Sequence, residues 1–210
     1  MAKKRKATTK SRGGTPERSG QRNQIRIIGG EHRGRRLSFP DSRGLRPTTD
    51  RVRETLFNWL QPFFPGAACL DLFAGSGVLG LEAASRGASR VTLVEKSGEV
   101  VMMLRESLEL LRLDSVKLIQ ADAVNWLESP GDPFEIVFLD PPFADDLLTT
   151  ACGLLEKNGW LKQGARIYLE RDRHSPEPQL PENWVELKRK QAGQVVFGLY
   201  TRGDAMGSGI

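Results

Sequence analysis

From residue 67 onward the chain alternates short, nearly continuous apolar runs with amphipathic stretches of helical period. AACLDLF (67–73), RVTLVE (90–95), VKLIQ (116–120), FEIVFLD (134–140) and RIYLE (166–170) read as strands. Between them VLGLEAASRG (78–87), residues 98–112 with Val101, Leu104, Leu108 and Leu111 on one side, a short turn at Ala123–Leu127, and residues 145–157 read as helices. Strands that are apolar on both faces need cover on both, and helical crossovers supply it. The pattern therefore dictates a mostly parallel sheet of the α/β class. Residues 184–189 and 194–200 read as a closing hairpin.

Ligands of such sheets bind beyond the carboxyl ends of the strands, near the point where strand order reverses. That rule selects Asp71 to Gly77, Glu95, Asp122 and Asp140. DLFAGSGVLG (71–80) joins the first of these strands to its helix, and Gly75, Gly77 and Gly80 satisfy G-x-G-x-x-G. Alone the pattern is weak, because a glycine-rich turn also serves close packing. Glu95, ending the next strand about 20 residues on, strengthens it, since an acid there accepts from ribose hydroxyls. A dinucleotide would bring a pyrophosphate to the helix N-terminus. Asp71 disfavours that anion and suits an ammonium, which points to S-adenosylmethionine. Asp122 stands where a carboxylate accepts from the adenine amine, or serves as a solvated turn residue.

FLDPPF (138–143) ends the fourth of these strands. Tandem prolines donate no N–H, so the motif is a good strand terminator and nothing more if read alone. Beside a cofactor cleft it acquires a chemical use. An exocyclic nucleobase amine is a poor nucleophile because its lone pair is delocalised into the ring. The Asp140 carboxylate and the Pro141 carbonyl are two acceptors for its two N–H groups, and Pro142 stiffens the turn that aims them. Phe143 is an aromatic surface on which an unstacked base lies flat.

Charge is divided unevenly. Residues 1–53 hold 16 Lys/Arg against four carboxylates, a net +12, whereas residues 54–210 hold 15 against 22, a net −7. A basic arm on an acidic body points to a polyanion such as nucleic acid. Residues 1–22 are Lys/Arg/Ser/Thr/Gly-rich and are expected to be a disordered tail, an RNA-binding arm or a solubilising one. IRIIGGEHRGRRLSF (25–39) reads as a basic hairpin, and LRPTTDRVRETLFNWL (45–60) as a helix capped by Thr49 or Asp50. Arg26, Arg33, Arg35, Arg36, Arg43 and Arg46 are candidate phosphate contacts. Arg46, Thr48 and Asp50 precede the sheet and are placed to close over the cleft. Arg51, Arg53 and Glu54 read equally as a salt-bridged helix surface. Cys69 and Cys152 have no metal spacing and read as buried thiols of a reducing cytosol. His32 and His174 have no partner pattern, and no apolar run reaches the roughly 18–20 residues of a membrane span.

DLFAGSG paired with DPPF resembles the class I S-adenosylmethionine-dependent amino-methyltransferases. RPTTDRVRETLFNWL followed by LDLFAGSGVLGLEAASRGA resembles, more specifically, the bacterial RsmD family, over about residues 24–202. The resemblance implies a Rossmann-like α/β fold: a seven-stranded sheet with an antiparallel last strand, preceded by a small N-terminal β-hairpin. It implies methylation of a guanine N2 in 16S ribosomal RNA, and the expected partner is that RNA, within a small-subunit particle; no metal site is expected. By the same resemblance Asp71, Phe73, Gly75, Ser76, Gly77, Glu95, Asp122 and Ala123 would contact the cofactor, and Asp140 to Phe143 would hold the target amine. Four functions remain distinguishable: this one, an adenine-N6 methyltransferase of DNA or RNA, an NAD-dependent oxidoreductase, and a non-catalytic ribosome-binding factor. The oxidoreductase lacks a proton-transferring His or Tyr and leaves DPPF unused. The expected organisation is a tail (1–22), an RNA-contacting hairpin and helix (23–60), a methyltransferase domain (61–202) and a short flexible end (203–210), in a cytoplasmic monomer.

Overall fold

A computed structural model describes residues 23–39, 49–142 and 147–204. The first element is an antiparallel hairpin of β1 (Asn23–Arg26) and β2 (Arg36–Phe39), followed by α1 (Asp50–Leu60). The alternating part then runs β3 (Ala68–Asp71), α2 (Val78–Ser85), β4 (Arg90–Glu95), α3 (Gly98–Leu111), β5 (Val116–Gln120), α4 (Ala123–Leu127), β6 (Phe134–Leu139), α5 (Leu147–Lys157) and β7 (Leu161–Asp172). It closes with β8 (Trp184–Ala192) and β9 (Val195–Arg202).

The sheet has seven strands in the order β5-β4-β3-β6-β7-β9-β8. Pairings from β5 through β7 are parallel, and β9 runs antiparallel to both β7 and β8. Strand order reverses between β3 and β6, so the ends of those two strands flank the cleft. Burial explains the parallel centre: all four residues of β3 are buried, as are five of the six in β6.

Two apolar layers sandwich the sheet. On one face α1, α2 and α3 bury Leu56, Phe57, Leu79, Leu81, Val100 and Leu104, among others. The hairpin joins this layer through Ile25, Ile27 and Leu37, so it shares the sheet's core. On the other face α4 and α5 contribute Leu127, Leu148, Ala151, Cys152 and Leu155. Phe57 is fully buried, with its ring 5.5 Å from Phe64 and 6.1 Å from Phe138.

Two strands of the sheet's centre depart from the sequence expectation. β3 stops at Asp71, because Leu72 has already turned into the loop. β7 begins at Leu161 rather than Arg166; its register against β6 jumps from Phe134↔Leu161 to Ile136↔Arg166, and the polar residues Lys162 to Gly164 in that bulge interrupt the apolar run. α1 is capped at Thr49, one of the two caps the sequence offered, by backbone geometry and without a side-chain hydrogen bond. The tail 1–22, Arg43, Arg46, Thr48, Phe143 and residues 205–210 lie outside the described residues.

Candidate active site

The loop after β3 is held by its neighbours on both sides. Leu72 N–H donates to the Phe138 carbonyl of β6 (3.2 Å), and Ala74 N–H to the Val94 carbonyl of β4 (2.9 Å). Glu95 fastens the glycine turn itself: its Oε2 accepts from Gly75 N–H at 2.9 Å and its Oε1 from Ser97 N–H at 2.7 Å. Gly77 caps α2 at φ +74, a conformation that side chains rarely adopt. Gly80 lets that helix approach the sheet, since a Cβ there would stand 2.2 Å from Leu93 Cδ2. Phe73 and Ser76 are half-buried on the loop, and Ala123 is buried at the start of α4.

Asp71 is only 2% exposed, and its Oδ2 accepts from Gly80 N–H at 2.9 Å inside the first turn of α2. The carboxylate thus satisfies one of the amides that a helix start leaves open, at the positive end of the helix dipole. Burial, chiefly, pushes its pKa up to about 7 despite that hydrogen bond, with smaller contributions from the charges of Asp140 and Glu95. Asp71 and Asp140 therefore sense one another across the switch point. Asp140 follows directly on β6 and is half-buried, Pro141 is buried and Pro142 is exposed.

Asp122 is held in place by α4 and by Lys96. Its Oδ1 caps α4 by accepting from Val124 N–H (3.1 Å) and Asn125 N–H (3.2 Å), and its Oδ2 pairs with Lys96 Nζ at 3.0 Å. The Lys96 hydrogen bond and the α4 amides hold its carboxyl below the usual carboxylate range.

Sequence reasoning missed two features near the cleft. Tyr168 and Glu170 of β7 are buried beside the end of β6, with Tyr168 Oη donating to Glu170 Oε2 at 2.5 Å. Burial, then the charges of Glu170 and Asp140, push the phenol well above its ordinary value. Alternation along β7 placed both residues on one face, but which face met the cleft required the sheet order. The second feature is the anchoring of the hairpin. Fully buried Glu82 accepts from Ile28 N–H (2.8 Å) and from Arg86 Nε (2.9 Å), while Ser85 Oγ donates to the Gly29 carbonyl (2.6 Å). Arg53 is no surface residue: at 1% exposure it donates to the Arg26 carbonyl (2.9 Å) and to Asp50 Oδ1 (2.5 Å). These bonds leave Arg26, Arg33, Arg35 and Arg36 exposed, and among the described residues none of the four is in an ion pair.

Burial raises both thiols, that of Cys152 to about 12, so neither serves as a nucleophile at neutral pH. Among the described residues no group of three or more His, Cys, Asp or Glu is placed to hold a metal, and no helix is long and apolar enough to cross a membrane.

A seven-stranded sheet with antiparallel β9 between β7 and the edge, a glycine loop after its first strand and Asp-Pro-Pro beside it together define the class I methyltransferase fold. Comparison with known proteins narrows the class. The family model described as "Conserved hypothetical protein 95" matches residues 25–201, and the chain belongs to this family, the RsmD family that its motifs resemble. Ribosomal RNA small subunit methyltransferase D of Escherichia coli K12 is 51% identical over 187 residues, spanning 89% of this chain and 94% of its own. The Haemophilus influenzae protein of the same name is 45% identical over 190 residues, spanning 89% and 96%. The solved structure of yhhF from Escherichia coli superposes with a TM-score of 0.82 at 48% identity, covering 87% of this chain and all of that one.

Proposed function

We propose that the protein methylates the exocyclic N2 amine of a guanine in small-subunit ribosomal RNA, using S-adenosylmethionine. The observation that carries this reading is the placement of Asp140 and Pro141 at the switch point, one strand from the glycine loop and within electrostatic reach of Asp71. The similarity to proteins named for small-subunit RNA methylation supports the choice of RNA.

The residues present suit this cofactor. Acids dominate this end of the sheet: buried Asp71, and Glu95 and Asp122 nearer the surface, with Lys96 committed to Asp122. Such a setting repels a pyrophosphate. Asp71, whose burial strains its charged form, gains from a nearby ammonium or sulfonium. Glu95, although it fastens the turn, keeps lone pairs for a ribose diol. Asp71, Phe73, Gly75, Ser76, Gly77, Glu95 and Ala123 would line this half of the site, with Asp122 shaping it through α4. When bound, the cofactor supplies an electrophilic methyl group on a positive sulfur.

The chain's own residues prepare the nucleophile. Asp140 and the Pro141 carbonyl accept the two amine hydrogens, favouring a pyramidal nitrogen with its lone pair directed outward. Pro142 restricts the turn, so this arrangement exists before the base arrives. As the nitrogen takes the methyl group it must shed a proton, and the Asp140 carboxylate is already hydrogen-bonded to it. The guanine enters unstacked from its RNA, with Phe143 as the ring on which it rests. The exposed hairpin arginines take phosphates on either side and position the strand.

The experiment supplies radiolabelled S-adenosylmethionine with naked 16S RNA, 30S particles and DNA as separate acceptors, followed by nuclease digestion and mass spectrometry. N2-methylguanosine from one of the RNA acceptors is expected. N6-methyladenosine as the sole product replaces the guanine reading with its adenine alternative. Cofactor binding without transfer to any acceptor makes the protein a binding factor.

A further inference from the structure

We propose that the RNA path does not end at the hairpin but crosses α1 to the edge strand β8, where Lys188 and Lys190 hold phosphates; this rests on the RNA reading above. The ammonium groups of both lysines stand 5.7 Å from the centroid of the Trp59 ring, on the face of the sheet that α1 and the hairpin cover. Trp59 in turn stacks on Phe197, with centroids 5.6 Å apart. Sheet register fixes the level of this patch. Leu139 pairs with Leu169, and the next residue of β7, Glu170, pairs with Phe197, which pairs with Lys190. Asp140 and Lys190 are thus in one row at the same lip of the sheet, three strand spacings or roughly 15 Å apart.

A bulge gives the patch its charge. The register of β8 against β9 jumps between Glu186 and Lys188, leaving Leu187 as the extra residue. Glu186 is thereby turned to the opposite face, where it accepts from Arg189 Nε (2.9 Å) and Tyr200 Oη (3.3 Å). Lys188 and Lys190 remain on the Trp59 face, exposed, and among the described residues neither pairs with a carboxylate. Lysines on an edge strand also guard against edge-to-edge pairing. That duty needs no aromatic platform and no removal of the neighbouring acid. Residues 54–210 carry a net −7, so two unpaired cations level with the reaction site, on the hairpin's face, complement a polyanion that reaches both.

The test is the salt dependence of binding to a small-subunit RNA fragment. Two lost phosphate contacts should flatten the slope of log K against log salt by about 1.4–1.8 in the double variant Lys188→Gln, Lys190→Gln. Lys188→Arg, Lys190→Arg should keep the wild-type slope. The control is Lys117→Gln, Lys157→Gln, which removes the same charge from exposed positions on the strand face and helix packed in the other apolar layer. Cofactor affinity and the melting temperature of each variant report that the fold is intact. An unchanged slope in the Lys188/Lys190 variant, or an equal fall in the control, overturns the proposal while the RNA reading stands. A wild-type protein that neither binds nor methylates the RNA overturns both.

Discussion

Asp71 Oδ2 accepts a hydrogen bond from Gly80 N–H, nine residues later, at 2.9 Å, so a buried carboxylate of β3 caps the first turn of the helix that follows it. Its pKa, raised from 3.8 to about 7, has a defined consequence for stability. The folded protein binds the proton more tightly than the unfolded chain. The stability from this group is full below pH 3.8 and is lost as pH rises towards about 7, on the order of 4 kcal/mol in all. Asp71→Asn should remove that slope. Urea unfolding followed between pH 4 and 8 in both proteins checks it, and parallel profiles would show that Asp71 does not titrate in this range.

The same group links cofactor binding to protons. A cationic ligand beside Asp71 lowers its pKa, so binding at pH 6 should release close to one proton, and affinity should rise with pH before levelling near 7. Titration calorimetry in two buffers of different ionisation heat measures the release. Proton uptake on binding would contradict the assignment of a cation to this position.

Gly80→Ala tests the packing half of the glycine loop. The new methyl meets Leu93 Cδ2 at 2.2 Å, Val91 Cγ1 at 3.2 Å and Asp71 Cβ at 3.3 Å, so either the buried Leu93 side chain must repack or the helix must back away from the sheet. A cost of about 1–3 kcal/mol is expected, with weakened cofactor binding if the helix moves, because Asp71 then follows the displaced amide. Denaturant midpoints and cofactor titration give the two readouts; a variant as stable as wild type would mean that α2 or Leu93 has room to shift.

Glu82→Ala separates the hairpin from the catalytic half. It takes the carboxylate from the Arg86 guanidinium, whose side chain is only 10% exposed and keeps only Gln61 Oε1 and the Phe57 ring, and removes the acceptor of Ile28 N–H. Breaking a buried pair costs about 3–5 kcal/mol. RNA affinity should fall at least tenfold while cofactor affinity changes little, since Asp71 and Glu95 make no use of Glu82. Equal losses of both ligands would show that the hairpin supports the whole fold rather than the RNA.

How much of this was legible depended on the range of the interaction. β4, β5 and α4 fall at the residues where apolar runs and turn signals placed them, because local pattern decides them. The candidate site at the ends of β3 and β6 was readable from the strand-end rule together with the glycine loop and the Asp-Pro-Pro motif. Buried Glu82 and Arg53 were not legible: a charged residue in a helix reads as its solvated side, although α2 is buried on nearly all sides, and the partners at Ile28 and Arg26 lie 54 and 27 residues away. Asp122 carried a readable signal in D-A-V-N, an Asp ahead of a short helical turn, which is the pattern of an N-cap. Its place at a strand end carried the adenine-acceptor reading beside the turn reading.

Asp140→Asn isolates the chemistry. The amide keeps the size of the side chain and one acceptor oxygen, but loses the negative charge and offers an N–H where an acceptor is needed. An oriented amine then faces one competent acceptor, Pro141, and the departing proton has no carboxylate beside it. Turnover should fall by at least about a hundredfold, the usual scale for a lost acid–base group. Cofactor affinity should hold or improve slightly, because the Asp140 charge is one of those that raise the pKa of Asp71. That same coupling supplies an internal control: in the Asn variant the Asp71 titration should move down in pH. A variant that turns over normally but shows the shifted titration would place Asp140 in the electrostatics of the cleft and outside the reaction.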